Sequence, residues 1–434
     1  MIRNPKNLIR RHGAWAAAAA AASLAAASGW QAWDARAAVG PRESRAPFRL
    51  ADELPAWRDT SPAVLEGSAE TRLLGAYQLV GQQRLAAALE TTRALVRAYP
   101  NFKLGLLLHA DLLAAHAEPL SGFGSPNPGP DTAAAPAATE ALRGLRDEAR
   151  ARLKALAQRP PAGAVPAEFV QLPASVSYAI AVDTSRSRLY LFRRGDAGLQ
   201  LVRDFYVSVG KQGVDKRAEG DQRTPLGVYY TLGHVPAEQL DARFGAGALP
   251  LNYPNALDRH AGRTGSGILL HGVPVSTYSR PPQDSDGCVA MANEDLIGLA
   301  ATLPGRDTPV VITREIQWIQ PGQSASLPAG FNAAWTAWQS ARLAGQPERL
   351  PALYAPQATL AADGKAAERF QRRLARAPAS LDEVSLLTWR DHTPSIVVTF
   401  REKSAIAGKR DRMVRQYWQE QAGGWRIVAE GPVG

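Results

Sequence analysis

The chain has 434 residues, of which 45% are hydrophobic and 21% charged, and its formal net charge is +10 at pH 7. One hydrophobic core seldom organises a chain of this length, so several domains are expected. The positive charge favours contact with an anionic polymer such as nucleic acid, anionic lipid or a carboxylate-rich cell wall. Because Lys and Arg are scattered and neither an RNA-binding signature nor zinc-finger spacing occurs, we expect no nucleic-acid partner.

Residues 1–38 have the pattern of an export signal. Arg3, Lys6, Arg10 and Arg11 form a basic start, and the alanine-rich residues 14–27 follow it. This apolar stretch is shorter than the roughly 20 residues that a spanning helix needs, which favours a secretory signal peptide over an uncleaved N-terminal anchor. Either alternative predicts an exported protein of the periplasm or cell envelope. Residues 39–69 are interpreted as a spacer.

Residues 70–160 are predicted to be a helical region. Apolar side chains recur every three or four residues from Leu85 to Tyr99, and a second such face begins at Phe102 after a Pro-Asn break. This hairpin resembles one tetratricopeptide unit, and a plain helical hairpin that packs on the main domain is the alternative. Residues 117–138, rich in Pro, Gly, Ser and Ala, are predicted to form a flexible linker, and a further helix is expected over 140–158.

From residue 177 the apolar pattern changes to that of short strands. Residues 177–314 are predicted to form a mainly-β domain with one helix over 294–302, for which Asn293 is a candidate N-cap. A second linker precedes residues 328–434, where helices and then strands near 386–390, 395–401, 413–420 and 425–430 indicate an α+β domain. Four of its five tryptophans are expected in the core rather than in a sugar-binding platform: Trp335, Trp338, Trp418 and Trp425.

The chain contains one cysteine, Cys288, which follows His271 by seventeen residues. A thiol becomes a useful nucleophile when a nearby imidazole accepts its proton and holds the thiolate as an ion pair. Gly287 would let a substrate carbonyl approach the backbone, where amide groups can bind an oxyanion. A single cysteine in an exported chain cannot form an internal disulfide, so a reactive thiol is favoured over a buried structural one.

Several motifs in order resemble the catalytic domain of the L,D-transpeptidase family, the YkuD type. They are Ile268-Leu269-Leu270-His271-Gly272, Ser285-Asp286-Gly287-Cys288-Val289, the upstream segment 219–229, Ser208-Val209-Gly210-Lys211 and Asn252-Tyr253-Pro254-Asn255. The resemblance covers residues 177–314. It implies that Cys288 is the nucleophile, that His271 is its base and that the Gly272 carbonyl orients the imidazole. Backbone amides around Asp286, Gly287 and Cys288 would then line the oxyanion hole, and Ser285, Asp286 and Gly287 would form the oxyanion and substrate-binding site.

The sequence departs from the family pattern at two positions. Ala290 stands where the family most often has an arginine, two residues after the cysteine, and Asp286 replaces a frequent histidine. The first change leaves acceptor preference open. An acidic side chain that faced the thiol would disfavour its ionisation, so we expect Asp286 to point outward or to meet a cation.

Residues 328–434 resemble an NTF2-like domain, and this domain order resembles that of murein L,D-carboxypeptidases that determine cell shape. The chain is therefore predicted to be a multidomain protein with a helical N-terminal region, a mainly-β catalytic domain and an α+β NTF2-like C-terminal domain. The resemblance implies L,D-transpeptidation of peptidoglycan stem tetrapeptides with loss of D-Ala and without metal or organic cofactor. Two alternatives are an L,D-carboxypeptidase and a non-catalytic wall-binding scaffold. The helical or NTF2-like region could recruit a protein partner.

Overall fold

The computed structural model describes residues 68–117, 136–320, 323, 325–360, 364–391 and 393–433. The predicted signal at 1–38, the spacer up to residue 67 and linker residues 118–135 lie outside this part of the chain. No helix among the described residues is long and apolar enough to cross a membrane.

The described residues form helices and strands in three consecutive regions. The helices are α1 (Ala69–Gly81), α2 (Leu85–Ala98), α3 (Lys103–Ala117), α4 (Pro136–Ala157), α5 (Ala256–His260), α6 (Asn293–Thr302), α7 (Phe331–Leu343) and α8 (Gly364–Leu374). The strands are β1 (Val165–Pro166), β2 (Phe169–Gln171), β3 (Tyr178–Asp183), β4 (Arg188–Gly195), β5 (Gly198–Gly210), β6 (Gly227–Leu232), β7 (Val235–Pro236), β8 (Gly247–Pro250), β9 (Leu269–His271), β10 (Gln283–Ser285), β11 (Val289–Met291), β12 (Arg306–Thr313), β13 (Trp318–Ile319), β14 (Tyr354–Leu360), β15 (Ser380–Trp389), β16 (Ser395–Lys403), β17 (Arg412–Gln421) and β18 (Gly424–Pro432).

Helices α1 to α4 form the predicted helical N-terminal region. The side chain of Ser68 accepts a hydrogen bond from the amide of Thr71 and so satisfies a free donor at the start of α1. The apolar faces of these helices meet in one cluster that also contains Tyr278 and Ala292 from the β region. The hairpin α2–α3 therefore buries its face partly against the main domain.

The central region is a mainly-β domain built on a curled sheet. Its strands lie in the order β6-β12-β3-β4-β5-β11-β9-β8-β7, and β10 pairs with β5. An isolated bridge between Thr231 and Leu251 brings the end of β6 next to β8, so the sheet nearly closes on itself. Strand β11 lies between β5 and β9, and all three of its residues are buried. This inner position of β11 holds the residue directly before it, Cys288, in a defined place.

The C-terminal region combines α7 and α8 with an antiparallel sheet of order β14-β18-β17-β16-β15-β2, in which β14 pairs in parallel. The four tryptophans are between 0% and 7% exposed, which confirms the predicted core: Trp335, Trp338, Trp418 and Trp425. The edge strand β2 comes from the chain ahead of the β domain, and β1 pairs with β13 just behind it. The α+β arrangement is as predicted, whereas the resemblance to NTF2-like domains stays a prediction.

Candidate active site

Two neighbouring parallel strands bring the predicted nucleophile and base to one face of the sheet. In the register of β9 with β11, His271 lies beside Ala290. Side chains of paired residues point to the same face, and residues two apart on one strand share a face as well. Cys288 directly precedes β11 and lies two positions before Ala290, so its side chain is directed to the face that carries the imidazole.

The imidazole of His271 is buried and held in one orientation. Its Nδ1 donates to the carbonyl oxygen of Gly272 at 2.5 Å, which leaves Nε2 as the atom able to accept a proton. The ring of Phe244 packs edge-on against it, with 5.0 Å between ring centres. Burial lowers the pKa of His271 to about 4, although the bond to Gly272 opposes this shift. The ring is therefore neutral at pH 7, which is the form that a general base needs.

The backbone beside His271 is fixed by Asn293. The Oδ1 atom of Asn293 accepts from the amides of Ala246 (2.9 Å) and Val273 (3.0 Å), and its Nδ2 donates to the Val273 carbonyl (2.8 Å). A Cβ at Gly272 would lie 2.1 Å from this Oδ1, so only glycine fits there. The predicted N-cap role of Asn293 is wrong, since Ala292 is the N-cap of α6. The side-chain amide of Asn293 instead bonds the backbone of Ala246 and Val273.

The thiol of Cys288 is half-buried. Among the described residues its hydrogen-bond acceptor is the Gly267 carbonyl oxygen, 3.4 Å from Sγ, and not the imidazole. Burial raises the pKa of the thiol to about 11, while the amide of Leu269 lowers it. Burial disfavours the charged state of the thiol and of the ring alike, and so it opposes the ion pair expected from the sequence.

The turn that presents Cys288 is tied by Ser285. Its Oγ accepts from the amide of Gly287 at 3.1 Å and donates to the Cys288 carbonyl at 2.6 Å. Gly287 has φ +123°, and a Cβ there would lie 2.9 Å from the Arg223 carbonyl oxygen. Since the Gly287 amide is used inside the turn, the sequence expectation that it serves as an oxyanion donor is corrected. The amides of Asp286 and Cys288 are the candidates left.

The two unusual positions have different surroundings. Asp286 is exposed, and its Oδ1 lies 3.3 Å from the ammonium of Lys211, so the expectation that it points outward and meets a cation is confirmed. Ala290 is 1% exposed and lies between Ser208 of β5 and His271 of β9, which leaves little room for a longer side chain.

Two cations that the sequence analysis did not single out lie close enough to influence this site. The charges of Lys216 and Arg280 both lower the pKa of Cys288. Lys216 is buried against Asp221, at 2.7 Å, and Arg280 donates to the Asp284 carbonyl at 3.1 Å. Arg280 lies between His271 and Cys288 in the sequence, and this position was the one signal that could have pointed to it.

The fold and the site together define a class of enzyme domain. Residues 177–312 match the family model of the YkuD L,D-transpeptidase catalytic domain, and this part of the chain is an L,D-transpeptidase catalytic domain. The match begins at the first residue of the predicted domain and ends two residues before its predicted boundary at 314. No curated protein is significantly similar to the chain.

Three solved structures are similar to parts of the chain. Bd1075 of Bdellovibrio bacteriovorus is 21% identical over 62% of this chain and 98% of its own, with a TM-score of 0.49. The helical cell shape determining protein Pgp2 of Campylobacter jejuni is 19% identical over 61% of this chain and 95% of its own, with a TM-score of 0.48. An L,D-transpeptidase of Mycobacterium smegmatis is 14% identical over 32% of this chain and 58% of its own, with a TM-score of 0.22.

Proposed function

We propose that the protein is a cysteine-dependent L,D-transpeptidase that acts on peptidoglycan stem tetrapeptides in the cell envelope. The observation that carries this proposal is the placement of His271 on β9, with Cys288 directly before the neighbouring strand β11, inside a matched L,D-transpeptidase domain. The fixed imidazole tautomer supports it, because Nε2 is free on the same face as the thiol. The basic n-region and alanine-rich stretch at residues 1–38 support export.

The first half-reaction is an acyl transfer to sulfur. Nε2 of His271 removes the thiol proton as Sγ of Cys288 attacks the carbonyl that joins the third residue of the stem to D-Ala. The tetrahedral intermediate collapses with cleavage of the C–N bond, and the imidazolium returns the proton to the departing amine. D-Ala leaves, and the tripeptide is held as a thioester. Because both groups rest in their neutral forms, proton removal accompanies attack rather than preceding it.

The second half-reaction releases the tripeptide. An acceptor amine loses a proton to Nε2 and attacks the thioester carbonyl, and Sγ leaves and regains that proton. An amine on another stem gives a 3–3 cross-link, and an amine on a protein gives an attached protein. If water is the acceptor, the product is a free tripeptide and the enzyme is an L,D-carboxypeptidase.

Negative charge on the carbonyl oxygen needs donors close to Cys288. We assign this role to the amides of Asp286 and Cys288, because the Gly287 amide already donates to Ser285. Ser285 and Gly287 would then act by shaping the turn. A single oxyanion donor is worth on the order of 10²–10³ in rate, so distortion of this turn should be costly.

Mass spectrometry of the purified full-length chain with a disaccharide tetrapeptide tests the proposal. Wild-type protein should gain an adduct on Cys288 that lacks D-Ala and should then form 3–3 dimers, whereas the Cys288→Ala variant should form neither. An adduct that decays only to tripeptide would identify a carboxypeptidase. Folded wild-type protein that gives no adduct and no product would refute both activities and favour a wall-binding scaffold.

A further inference from the structure

A cavity of about 280 Å³ lies between the catalytic domain and the C-terminal sheet. Tyr230 and Thr308 line it from the catalytic domain, and Ser385 and Arg415 line it from the C-terminal sheet. Its lining includes no residue of 267–291, the segment that carries the thiol and the imidazole. The cavity is therefore distinct from the proposed active site.

Arg415 brings a buried positive charge to this cavity. The residue is 7% exposed, and its guanidinium carbon lies 3.2 Å from the centre of the Tyr230 ring. Its Nε donates to Thr399 Oγ1 at 2.9 Å, which occupies one of the five N–H donors. No carboxylate of the described chain forms an ion pair with Arg415. A buried guanidinium is costly without a counter-ion, so the terminal amino groups are suited to an anion inside the cavity.

Two hydroxyl groups in the cavity lining also lack partners. Thr308 Oγ1 and Ser385 Oγ are buried, and neither has a hydrogen-bond partner among the described residues. The two residues are 2% and 5% exposed, and they belong to different regions of the molecule. Buried polar groups are nearly always hydrogen-bonded in native proteins. Both oxygens are covered by protein atoms, so each hydroxyl would have to turn about χ1 to bond a polar atom of a molecule in the cavity, and that bond would supply what it lacks.

The charges around the cavity decide which kind of anion fits. The cations Arg306 and Arg415 line it together with the acidic residues Asp307 and Glu383, so the lining is neutral overall. A dianion would be repelled by the two carboxylates, whereas a zwitterion can place one end near each sign. Glu383 is held by Ser175 and lies 3.6 Å from Arg401, which leaves its carboxylate only partly compensated.

The volume of the cavity and its apolar lining restrict the class of molecule that can bind there. A cavity of about 150 Å³ holds a benzene molecule with its six carbon atoms, so 280 Å³ accommodates roughly a dozen non-hydrogen atoms. Val176, Pro309 and Met413 also line the space, and they can cover small aliphatic side chains. A dipeptide of small residues has this size, one carboxylate, one ammonium group and methyl-sized side chains.

We propose that this cavity is a second binding site, for a small zwitterionic peptide of dipeptide size. Its carboxylate would lie against Arg415, its ammonium group would lie towards Asp307 and Glu383, and the hydroxyls of Thr308 and Ser385 would bond its polar atoms. A ligand held by both regions stabilises their docked arrangement by mass action.

Isothermal titration calorimetry tests the site in the full-length chain carrying Cys288→Ala, which prevents turnover. The probes are D-alanyl-D-alanine and L-alanyl-L-alanine, with acetate and inorganic phosphate as single-charge and multiple-charge comparisons. We expect saturable binding of at least one dipeptide and weaker binding of both comparison anions. Arg415→Gln should weaken the dipeptide affinity at least about tenfold, since a charge-assisted hydrogen bond is lost. Arg412→Gln, an exposed arginine on the same strand and the opposite face, should leave affinity unchanged.

The Thr308→Val variant tests the binding site without changing the buried arginine. It removes a hydroxyl without a partner, so the thermal unfolding temperature should stay at or above that of the parent while dipeptide affinity falls several-fold. The proposal is overturned if neither dipeptide binds, if phosphate binds more tightly than both, or if Arg415→Gln and Thr308→Val bind like the parent. None of these outcomes bears on the Cys288 adduct, so this site and the proposed activity are tested separately.

Discussion

The helical region and the C-terminal sheet both pack on the catalytic domain, but they do so through different kinds of contact. Leu387, Val397 and Tyr417 of the C-terminal sheet belong to one buried cluster with Ile180 and Val311 of the catalytic domain. The helical region has a cluster of its own, joined from the catalytic side by Tyr278 and Ala292. Continuous cores tend to unfold together, whereas small contacts allow one part to adjust another.

The helical region contacts both the catalytic sheet, where Glu70 pairs with Arg188 of β4 at 2.8 Å, and the segment between His271 and Cys288. The ring centre of Tyr278 lies 4.4 Å from that of Phe102, and its amide donates to the Asn101 carbonyl at 3.2 Å. Ser279 donates to the buried Glu148 of α4 at 2.6 Å. Because this segment carries Arg280 and leads into the turn of Cys288, the helices are placed to influence the active site as well as the sheet.

Loss of the shared core should have the largest effect on stability. Leu387 is fully buried and pairs with Phe169, so Leu387→Ala should cost about 2–5 kcal/mol of unfolding free energy. Leu201→Ala, at a side chain that is 37% exposed, should cost less than about 0.5 kcal/mol.

Two probes can follow this change separately. Residues 70–312 contain no tryptophan and residues 328–434 contain five, so tryptophan fluorescence monitors the C-terminal region, while labelling of Cys288 monitors the catalytic domain. In urea both transitions of Leu387→Ala should move together to lower concentration. A shifted fluorescence transition with an unchanged Cys288 transition would mean that the two regions are energetically independent, against the shared core.

Loss of the helical contact should affect rate more than stability of the catalytic domain. Tyr278→Ala removes the packing on Phe102 and the hydroxyl bond to Glu294 (2.5 Å), so the 273–284 segment can shift. A displacement of about 1 Å can cost 10²-fold, and we expect acylation of Cys288 to slow by about 10–100-fold. Val275→Ala, in the same segment but 84% exposed, is the matched control and should keep its rate.

A change in stability alone would give a different result for Tyr278→Ala. The urea transition of the catalytic domain, measured by Cys288 labelling, should stay close to that of the wild type. If it moves as far as in Leu387→Ala while the acylation rate of the folded protein is normal, the contact is structural and the positioning role is wrong.

The proposed catalytic residues could be selected from the sequence because the contacts that hold each of them are local. Gly272 follows His271 directly and supplies the carbonyl that orients the ring, and Ser285 closes its turn within three residues of Cys288. Such motifs need specific residue types at fixed spacing, and these can be read without knowledge of the fold. The periodicities that predicted the helices and long strands are local signals of the same kind.

The contacts between regions could not be predicted, because they depend on pairings across long stretches of chain. Strand β2 has three residues and pairs with β15, which starts at Ser380, more than 200 residues later in the chain. A strand this short has too few residues to show alternation. Glu148 had the ordinary signature of a polar helix face, yet it is 1% exposed because Arg152 and Ser279 bond its carboxylate. Nothing local distinguishes such a buried charge from a solvated one.

The ionisation of the Cys288 thiol should depend on the catalytic domain alone. Variants at the contacts with the helical region and with the C-terminal sheet should therefore change it least. With the pKa of Cys288 raised to about 11 by burial and that of His271 lowered to about 4, both groups stay predominantly neutral between pH 6 and 9. The thiolate fraction then rises about tenfold per pH unit, so alkylation of the single cysteine by iodoacetamide should accelerate throughout this range without a plateau. Tyr278→Ala and Leu387→Ala should keep this profile while they remain folded.

The Asp286→Asn variant should change the pH dependence of Cys288 alkylation by a small amount. The carboxylate raises the pKa of Cys288, so its removal should favour the thiolate and speed alkylation by a few-fold at pH 8. The effect is limited because Asp286 is exposed and already paired with Lys211. High salt should reduce the difference between Asp286→Asn and wild type. A plateau near pH 7 in the wild type would instead indicate a resting thiolate–imidazolium pair, and a Tyr278→Ala profile displaced along the pH axis would show that the helical region controls ionisation as well as position.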